Sequence, residues 1–312
     1  MKVVLAGATG TLGKPLIAAL KASGHEVIGI ARSAAGVATL DARGASSVVA
    51  DVMDRDTLLR ALQGVRAEAV IHELTALKKP PTTFGAMRET NRLRIDGTAN
   101  LLEAARAVGA TRFLTQSIVF GYGYTDHGEQ LVTERSPFGQ VHGDATDEPI
   151  AAMASTENQA FGAPGIDGIA LRYGLLYGED VPNMKRMLDR WSLPVPAHWR
   201  GSLPLIHHAD AAAATVAALE RGVAGRAYNL VDDGVVSWRE FIETVSAATG
   251  ARKPLALPDA LLRAVAPYAG TMMTRLNLRV SNELAKRELD WLPQYATIAA
   301  GVPASVHQAP VG

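Results

Sequence analysis

The sequence predicts an α/β fold in which helices cover both faces of a parallel sheet. Two observations support this prediction: short apolar segments alternate with helical segments over the first 120 residues, and a glycine-rich turn joins the first strand to the first helix. Such alternation produces parallel strands, because each helix carries the chain back to the edge where the next strand begins. The pattern changes after Gly121, which indicates a smaller, mixed C-terminal region.

The predicted strands of the first half are short and almost continuously apolar. Parallel strands are buried on both faces, so they lack the alternation of apolar and polar residues that marks a half-exposed strand. These strands are Val3–Ala6, Val27–Ile30, Ser47–Ala50, Ala69–His72 and Arg112–Ser117. Helical spacing of the apolar residues between them predicts helices at Pro15–Ala22, Thr57–Leu62 and Asn91–Val108.

The second half of the chain is less regular. Residues 121–149 contain five glycines and many polar side chains and are predicted to form a loop, and residues 178–206 are rich in Pro and Trp and are predicted to be irregular. The other predicted elements are helices at Ile150–Phe161, Asp210–Glu220, Trp238–Thr249 and Ser281–Leu289, and strands at Gly168–Arg172 and Arg226–Leu230. We therefore expect a sheet domain over 1–175 and a C-terminal region over 176–312, of which 205–233 returns to the sheet.

The composition excludes several kinds of chemistry. Without cysteine, the chain cannot form disulfides, Cys-ligated zinc sites, iron–sulfur clusters or thiol nucleophiles. Its 31 basic and 31 acidic residues balance, so no overall charge attracts nucleic acid or an anionic membrane. No His-x-x-x-His pair indicates a metal, and no segment resembles a targeting signal or a membrane span. We expect a cytoplasmic protein with no metal, nucleic-acid or membrane partner.

A glycine fingerprint follows the first predicted strand and opens the first helix. In it, Gly7 permits the tight turn, Gly10 lets backbone N–H groups approach a pyrophosphate, and Gly13 lets the helix pack closely on the strand. The positive N-terminus of the helix then faces the phosphate. The alternative is a merely structural glycine turn. The pattern favours dinucleotide binding by the residues Gly7, Thr9, Gly10, Thr11, Leu12 and Gly13.

The end of the second predicted strand bears on which dinucleotide binds. Many dinucleotide-binding folds place a carboxylate there to accept a hydrogen bond from the adenosine 2′-hydroxyl. This chain has Arg32 and Ser33 instead, and a guanidinium can bind a 2′-phosphate with two hydrogen bonds. The alternative is a solvated surface arginine. The sequence favours NADP as cofactor, with NAD as the second choice.

Further motifs resemble the extended short-chain dehydrogenase/reductase family, also called the NAD-dependent epimerase/dehydratase family. The resemblance extends from Lys2 to about Leu292 and implies a Rossmann-type, doubly wound sheet with a small substrate-covering region. The motifs are the glycine fingerprint, Asp51-Val52, Val70-Ile71-His72, the run from Asp96 to Ala105, Arg112-Phe113-Leu114, Leu171-Arg172-Tyr173, Tyr177-Gly178 and Tyr228-Asn229-Leu230. The resemblance implies further cofactor contacts from Asp51, Val52, Leu74 and Tyr173.

The chain departs from this family in its proton-transfer residues. The family uses a Tyr-x-x-x-Lys pair on a helix, in which the lysine lowers the pKa of the tyrosine. None of the seven tyrosines is followed by lysine four positions later, and our alignment places Ala152 and Thr156 at the two positions. Ile118 stands where a catalytic Ser or Thr is usual, with Ser117 one place earlier. Arg94 and Leu175 replace asparagines, which makes a nucleotide-sugar substrate less favoured.

Three residues are candidates for the missing chemistry. Ser117 could hydrogen-bond a substrate carbonyl or only satisfy the backbone, and Tyr122 or Tyr124 could supply the proton or only line the pocket. The leading hypothesis is an atypical NADP(H)-dependent reductase or epimerase that acts on a small organic carbonyl or alcohol. The alternatives are a non-redox lyase, isomerase or cyclase, and a catalytically inactive, cofactor-sensing binding protein. A homodimer through Asn91–Val108 and Ile150–Phe161 is also compatible with the sequence.

Overall fold

The computed structural model describes residues 1–77 and 79–307, so the last five residues of the predicted C-terminal region lie outside it. Its strands are β1 (Lys2–Ala6), β2 (Glu26–Ala31), β3 (Ser46–Val49), β4 (Ala69–His72), β5 (Arg112–Ile118), β6 (Asp126–Val132), β7 (Asp167–Tyr173), β8 (Leu175–Tyr177), β9 (Val195–Pro196), β10 (Ser202–Leu203), β11 (Leu205–His207), β12 (Ala227–Leu230), β13 (Val236–Ser237), β14 (Ala256–Leu257) and β15 (Asn277–Val280).

The helices of these residues alternate with the strands through the first domain and become more frequent toward the C-terminus. They are α1 (Gly13–Ala22), α2 (Ala34–Ala42), α3 (Arg55–Ala61), α4 (Arg88–Arg92), α5 (Thr98–Val108), α6 (Asp147–Phe161), α7 (Val181–Asp189), α8 (His208–Arg221), α9 (Trp238–Thr249), α10 (Asp259–Val265), α11 (Pro267–Arg275), α12 (Glu283–Leu289) and α13 (Ile298–His307). Single-turn 3₁₀ segments lie at Phe84–Met87 and Val119–Tyr122.

A seven-stranded parallel sheet forms the centre of the described chain, in the order β3-β2-β1-β4-β5-β7-β12. The order reverses at β1, so the loops after β1 and β4 flank the crevice in which Rossmann-type sheets bind ligands. The predicted fold class is confirmed. The edge strand β12 comes from the second half of the chain and pairs with β7, with Leu230 opposite Tyr173.

The sheet is buried between two apolar layers. One layer includes Leu16 of α1 and Ala214 of α8, and the other includes Leu58 of α3 and Leu101 of α5. A third apolar cluster joins the end of β5 and the strand β8 to the C-terminal helices, and it includes Phe241 of α9. The C-terminal region therefore packs against the carboxyl edge of the sheet.

Several sequence-based expectations about local structure were wrong. The predicted loop at 121–149 contains β6, which pairs in parallel with β15, and the predicted irregular segment at 178–206 contains α7 and short strands. The strand β6 is mostly polar and exposed, so its own sequence lacks the apolar signal of a strand. The helix α2 was not predicted. The predicted helix Asn91–Val108 is interrupted by a π-helical segment at Leu93–Gly97.

No helix among the described residues is long and apolar enough to cross a membrane. The same residues contain no group of three or more His, Asp or Glu side chains that could hold a metal ion.

Candidate active site

The glycine loop between β1 and α1 is held in a conformation that excludes side chains. Gly7 has a φ of +90°, and a Cβ atom there would lie 2.3 Å from the carbonyl oxygen of Glu73. A Cβ atom on Gly13 would lie 2.4 Å from the carbonyl oxygen of Ala8. The N–H of Gly10 donates to the carbonyl of Gly7 at 2.9 Å and closes the turn. The loop therefore presents bare backbone to a ligand, as a pyrophosphate site requires.

The N-terminus of α1 is open toward this loop. Its N-cap residue, Leu12, makes no side-chain capping hydrogen bond, so the first N–H groups of the helix are left for another acceptor. Thr9 and Thr11 are exposed, whereas Leu12 is buried and anchors the turn. Backbone donors and the positive end of the helix dipole together suit a phosphate.

Two arginines lie near the loop, of which sequence reasoning found one. Arg32 is exposed at the end of β2 and has no hydrogen-bond or ion-pair partner in the described part of the chain. Ser33 accepts a hydrogen bond from the N–H of Gly36 at 3.3 Å and so caps α2. The Nη1 atom of Arg43 donates to the carbonyl of Ala8 at 2.6 Å, inside the glycine loop. Arg43 directly follows α2, so it was missed together with that helix.

Three further predicted cofactor contacts lie near the carboxyl ends of β3 and β4. Asp51 is exposed, and its Oδ1 accepts from the N–H of Met53 at 2.9 Å. Val52 beside it is buried. Leu74 is half-buried, and its carbonyl accepts a hydrogen bond from the side chain of Gln116. These three residues share the edge of the sheet to which the glycine loop belongs.

Tyr173 does not fit its predicted role as a cofactor contact. Its ring is buried in the apolar layer that contains α8, and its hydroxyl lies 2.9 Å from Oε1 of Glu73 and 2.6 Å from Oγ1 of Thr215. Burial raises the pKa of Glu73 to about 8. Tyr173 therefore positions a protonated Glu73, and the Glu73 carbonyl lies directly beneath Gly7.

Ser117 lies near the carboxyl end of β5, opposite Arg172 of β7. Its side chain is buried, and its Oγ has no hydrogen-bond partner among the described residues. A buried hydroxyl without a partner costs about 1–3 kcal/mol. This orphaned group at the strand ends is suited to hydrogen-bond a substrate.

The hydroxyl of Tyr122 is held by hydrogen bonds to two side chains of the fold. Its hydroxyl donates to Oδ1 of Asn229 at 2.8 Å and accepts from Nη1 of Arg172 at 2.8 Å. Arg172 also makes a bidentate ion pair with Glu157 of α6, with N–O distances of 2.9 and 2.6 Å. Burial raises the pKa of Tyr122 to about 12. A phenol that is this weakly acidic and whose hydrogen is already donated does not suit the predicted proton transfer.

Tyr124 is paired with a second tyrosine from the C-terminal region. Its hydroxyl oxygen lies 2.9 Å from that of Tyr268 on α11, and both rings are buried. Burial raises the pKa of Tyr124 well above its ordinary value. The structure therefore gives no support to a proton-donating role for Tyr124, but it shows a buried pair of hydroxyls near the end of β5.

The helix α6 contains neither tyrosine nor lysine. Thr156, aligned with the lysine of the family, lies 2.8 Å from Oγ1 of Thr98 and 2.7 Å from Oγ1 of Thr115. It is therefore enclosed between α5 and β5, too deep to reach the strand ends. Ala152 is fully buried, and Met153 beside it belongs to the apolar cluster under the C-terminal region.

A parallel Rossmann-type sheet with this glycine loop defines a dinucleotide-binding enzyme. The model of the NAD dependent epimerase/dehydratase family matches residues 3–230. The chain belongs to this family. It is an oxidoreductase or epimerase with a nicotinamide cofactor.

Two curated relatives are reductases. A Streptomyces protein named 3-diazoavenalumate denitrifying reductase is 34% identical over 316 residues, which cover 97% of this chain and 99% of the relative. A second relative is a 4-hydroxy-2-methyl-3-oxo-4-farnesyl-3,4-dihydroquinoline-1-oxide ketoreductase from Stigmatella aurantiaca. It is 25% identical, and the match covers 93% of this chain and 92% of the relative. The UDP-glucose 4-epimerase structure from Thermotoga maritima matches with a TM-score of 0.79 at 20% identity, over 98% of both chains, and shares the fold.

The ion pair between Glu157 and Arg172 predicts a large stability effect. Glu157→Gln leaves a buried guanidinium without its counter-charge, so we expect the free energy of unfolding to fall by about 3 kcal/mol. Denaturant unfolding measures this change. The matched control is Glu89→Gln, which removes a 3.5 Å ion pair to exposed Arg92 and should cost less than about 0.5 kcal/mol. Equal losses in the two variants would contradict the assignment.

The buried Glu73 predicts a pH-dependent stability. Because its folded pKa of about 8 exceeds the ordinary 4.5, the unfolded state ionises first, and the folded state loses stability as the pH rises between these values. Glu73→Gln removes this loss, at about 1.4 kcal/mol for each pKa unit. The stability of the variant relative to wild type should therefore increase from pH 5 to pH 8 in denaturant unfolding. Glu129→Gln, at an exposed position, is the control that should show no such trend.

Proposed function

We propose that the protein is an NADPH-dependent reductase that replaces the diazonium group of a small aromatic substrate with hydrogen. The observation that carries this proposal is that the described site has a cofactor loop but lacks a tyrosine placed to donate a proton. The helix α6 has neither tyrosine nor lysine, and the hydroxyls of Tyr122 and Tyr124 are engaged within the protein.

Whether the reaction needs a proton donor depends on the chemical group that accepts the hydride. Reduction of a carbonyl produces an alkoxide that must be protonated, and loss of a positioned acid costs a factor of about 10²–10⁴. A diazonium carbon instead gains a hydride while its bond to nitrogen breaks, and the electron pair of that bond leaves with N₂. Charge balances without a proton, because the hydride neutralises the diazonium cation. A site without an acid therefore suits this acceptor.

The comparisons support the same reaction class. The name of the Streptomyces relative describes a reductase that acts on a diazo compound and removes nitrogen. The identity of 34% extends over nearly the whole of both chains and so includes the C-terminal region.

The chain's own residues fit the nicotinamide cofactor. Gly7, Gly10 and Gly13 with the open N-terminus of α1 would hold the pyrophosphate, and Arg32 with Arg43 would bind a 2′-phosphate. When bound, the reduced cofactor supplies a hydride. This assignment favours NADPH, because Arg32 rather than a carboxylate directly follows β2 and Arg43 contacts the glycine loop.

Carbonyl reduction is the second candidate function. The unpartnered hydroxyl of Ser117 favours it, because such a group could hydrogen-bond a carbonyl and pass a proton from water. The ketoreductase relative supports the same alternative.

The cofactor assignment predicts a selective loss of NADPH affinity. Arg32→Gln should weaken NADPH binding at least about tenfold, because it removes a charge-assisted contact to the 2′-phosphate, and leave NADH binding unchanged. Arg43→Gln should weaken NADPH binding in the same direction. Fluorescence titration of the reduced cofactors measures both affinities. Arg66→Gln, an exposed arginine beyond α3, is the control, and equal NADPH and NADH affinity in wild type would contradict the preference.

The reaction assignment predicts one N₂ released for each NADPH oxidised. With ¹⁵N-labelled 3-diazoavenalumate, mass spectrometry should detect labelled N₂ and a ring carbon that carries deuterium from deuterated NADPH. Ser117→Ala should lower this rate less than about tenfold, since no proton is required, whereas a proton role would cost about 10²-fold or more. Turnover of ketones with no reaction of the diazo compound would favour the second candidate. Release of N₂ without NADPH oxidation would contradict the proposal.

A further inference from the structure

Arg94 is a buried cation without a counter-charge. It lies in the π-helical segment between α4 and α5, and only 6% of its surface is exposed. No carboxylate of the described residues lies within ion-pair distance of it, and its Nε has no hydrogen-bond partner among them. Among the described residues, the Arg94 guanidinium makes one hydrogen bond, from Nη1 to Oδ1 of Asn91, and it is long at 3.4 Å. An unpaired buried charge destabilises the folded state unless a bound anion pairs with it.

The neighbouring groups do not neutralise Arg94. The Glu148 carboxylate accepts from the amide of Asn91 at 3.2 Å and does not contact the guanidinium. His72, at the end of β4, accepts from the N–H of Leu74, and burial lowers its pKa to about 4. The nearby phenols of Tyr124 and Tyr268 stay protonated, because burial raises the pKa of both.

The tyrosine pair adds a hydrogen-bond donor beside this charge. When two hydroxyls bond to each other at 2.9 Å, one donates and the other keeps its hydrogen for a third group. Both phenols lie close enough to Arg94 to affect the pKa of its guanidinium. Phe84 packs its ring against Tyr268, with centroids 5.4 Å apart, so an aromatic wall borders the polar group. A guanidinium and a free hydroxyl hydrogen beside aromatic rings match an aromatic anion.

Three parts of the chain bring these groups to the carboxyl edge of the sheet. Arg94 comes from the π-helical segment, Tyr124 lies seven residues after Ser117 of β5, and Tyr268 comes from α11 of the C-terminal region. π-Helical segments within helices occur frequently at functional sites. The group therefore borders the strand end where the candidate reaction takes place.

We infer that Arg94 and the Tyr124–Tyr268 pair bind the carboxylate of an aromatic acid substrate. This inference rests on the proposed function, for which it names the substrate class. The carboxylate pairs with the guanidinium and accepts the spare tyrosine hydrogen, while the aromatic part of the substrate extends toward Ser117.

The test compares an aromatic acid with its neutral ester. Calorimetric titration of the NADP⁺-saturated protein with 4-hydroxycinnamate and with methyl 4-hydroxycinnamate should show at least about tenfold tighter binding of the acid, as a charge-assisted contact provides. Arg94→Gln should remove this preference and leave ester binding unchanged. Arg94→Lys should retain part of it. Arg92→Gln, an exposed arginine two residues earlier, is the matched control and should behave as wild type.

A stability measurement separates a binding role from a structural one. Because Arg94 lacks a counter-charge, Arg94→Gln should raise the thermal midpoint of the ligand-free protein while it lowers acid affinity. A structural arginine would lower both. Tyr268→Phe, which keeps the ring and removes one hydroxyl, should weaken acid binding about three- to tenfold, and it provides a second variant if Arg94→Gln does not fold.

Two results would overturn the inference. One is an acid preference that survives in Arg94→Gln. The other is displacement of the acid by an equal concentration of inorganic phosphate, since that would mark a general anion site. These titrations measure binding without turnover, so the carboxylate subsite and the proposed reaction are tested separately. A protein that prefers the acid but does not oxidise NADPH would support the subsite and contradict the proposed function.

Discussion

The ion pair between Arg172 and Glu157 fixes the carboxyl edge of the sheet. The Arg172 guanidinium also stacks over the ring of Phe138 at 3.8 Å and donates to Tyr122, which in turn holds Asn229 of β12. One buried side chain thus joins β7 to α6, to the segment after β5 and to the edge strand. Because this network occupies the hydroxyl of Tyr122, that phenol is not free to act on a substrate near Ser117.

The parts of the fold that the sequence predicted depend on local patterns. Buried parallel strands need continuous apolar residues, and the turn after β1 needs glycine, so both leave a signal within a few positions. The pairing of β6 with β15 joins residues about 150 positions apart, and β6 is polar because it is exposed. The strand conformation of β6 depends on its pairing with β15, and no short window of the sequence includes both strands. The helix α2 was also missing from the prediction, and Arg43, which directly follows it, was missed for that reason.

Predictions about the site differed in the same way. Gly7 and Gly13 could be placed because their positions relative to β1 and α1 define what they contact, and Arg32 could be placed at the end of β2. The roles of Tyr122 and Tyr173 depend on hydrogen-bond partners from other strands and helices, so a tyrosine near a strand end could not be assigned to catalysis or to structure. Arg94 was noted only as a departure from the family, since its lack of a counter-charge is a property of the folded chain.

The two buried arginines show how charge separates structure from function in this protein. Arg172 is paired with a carboxylate and stabilises the fold, whereas Arg94, which is equally buried, has no counter-charge among the described residues. Orientation of a substrate by its anionic end would suffice for a hydride acceptor that needs no proton. Loss of the tyrosine and lysine of the family is then compatible with retention of the cofactor loop, because the reaction would depend on hydride delivery and substrate placement alone.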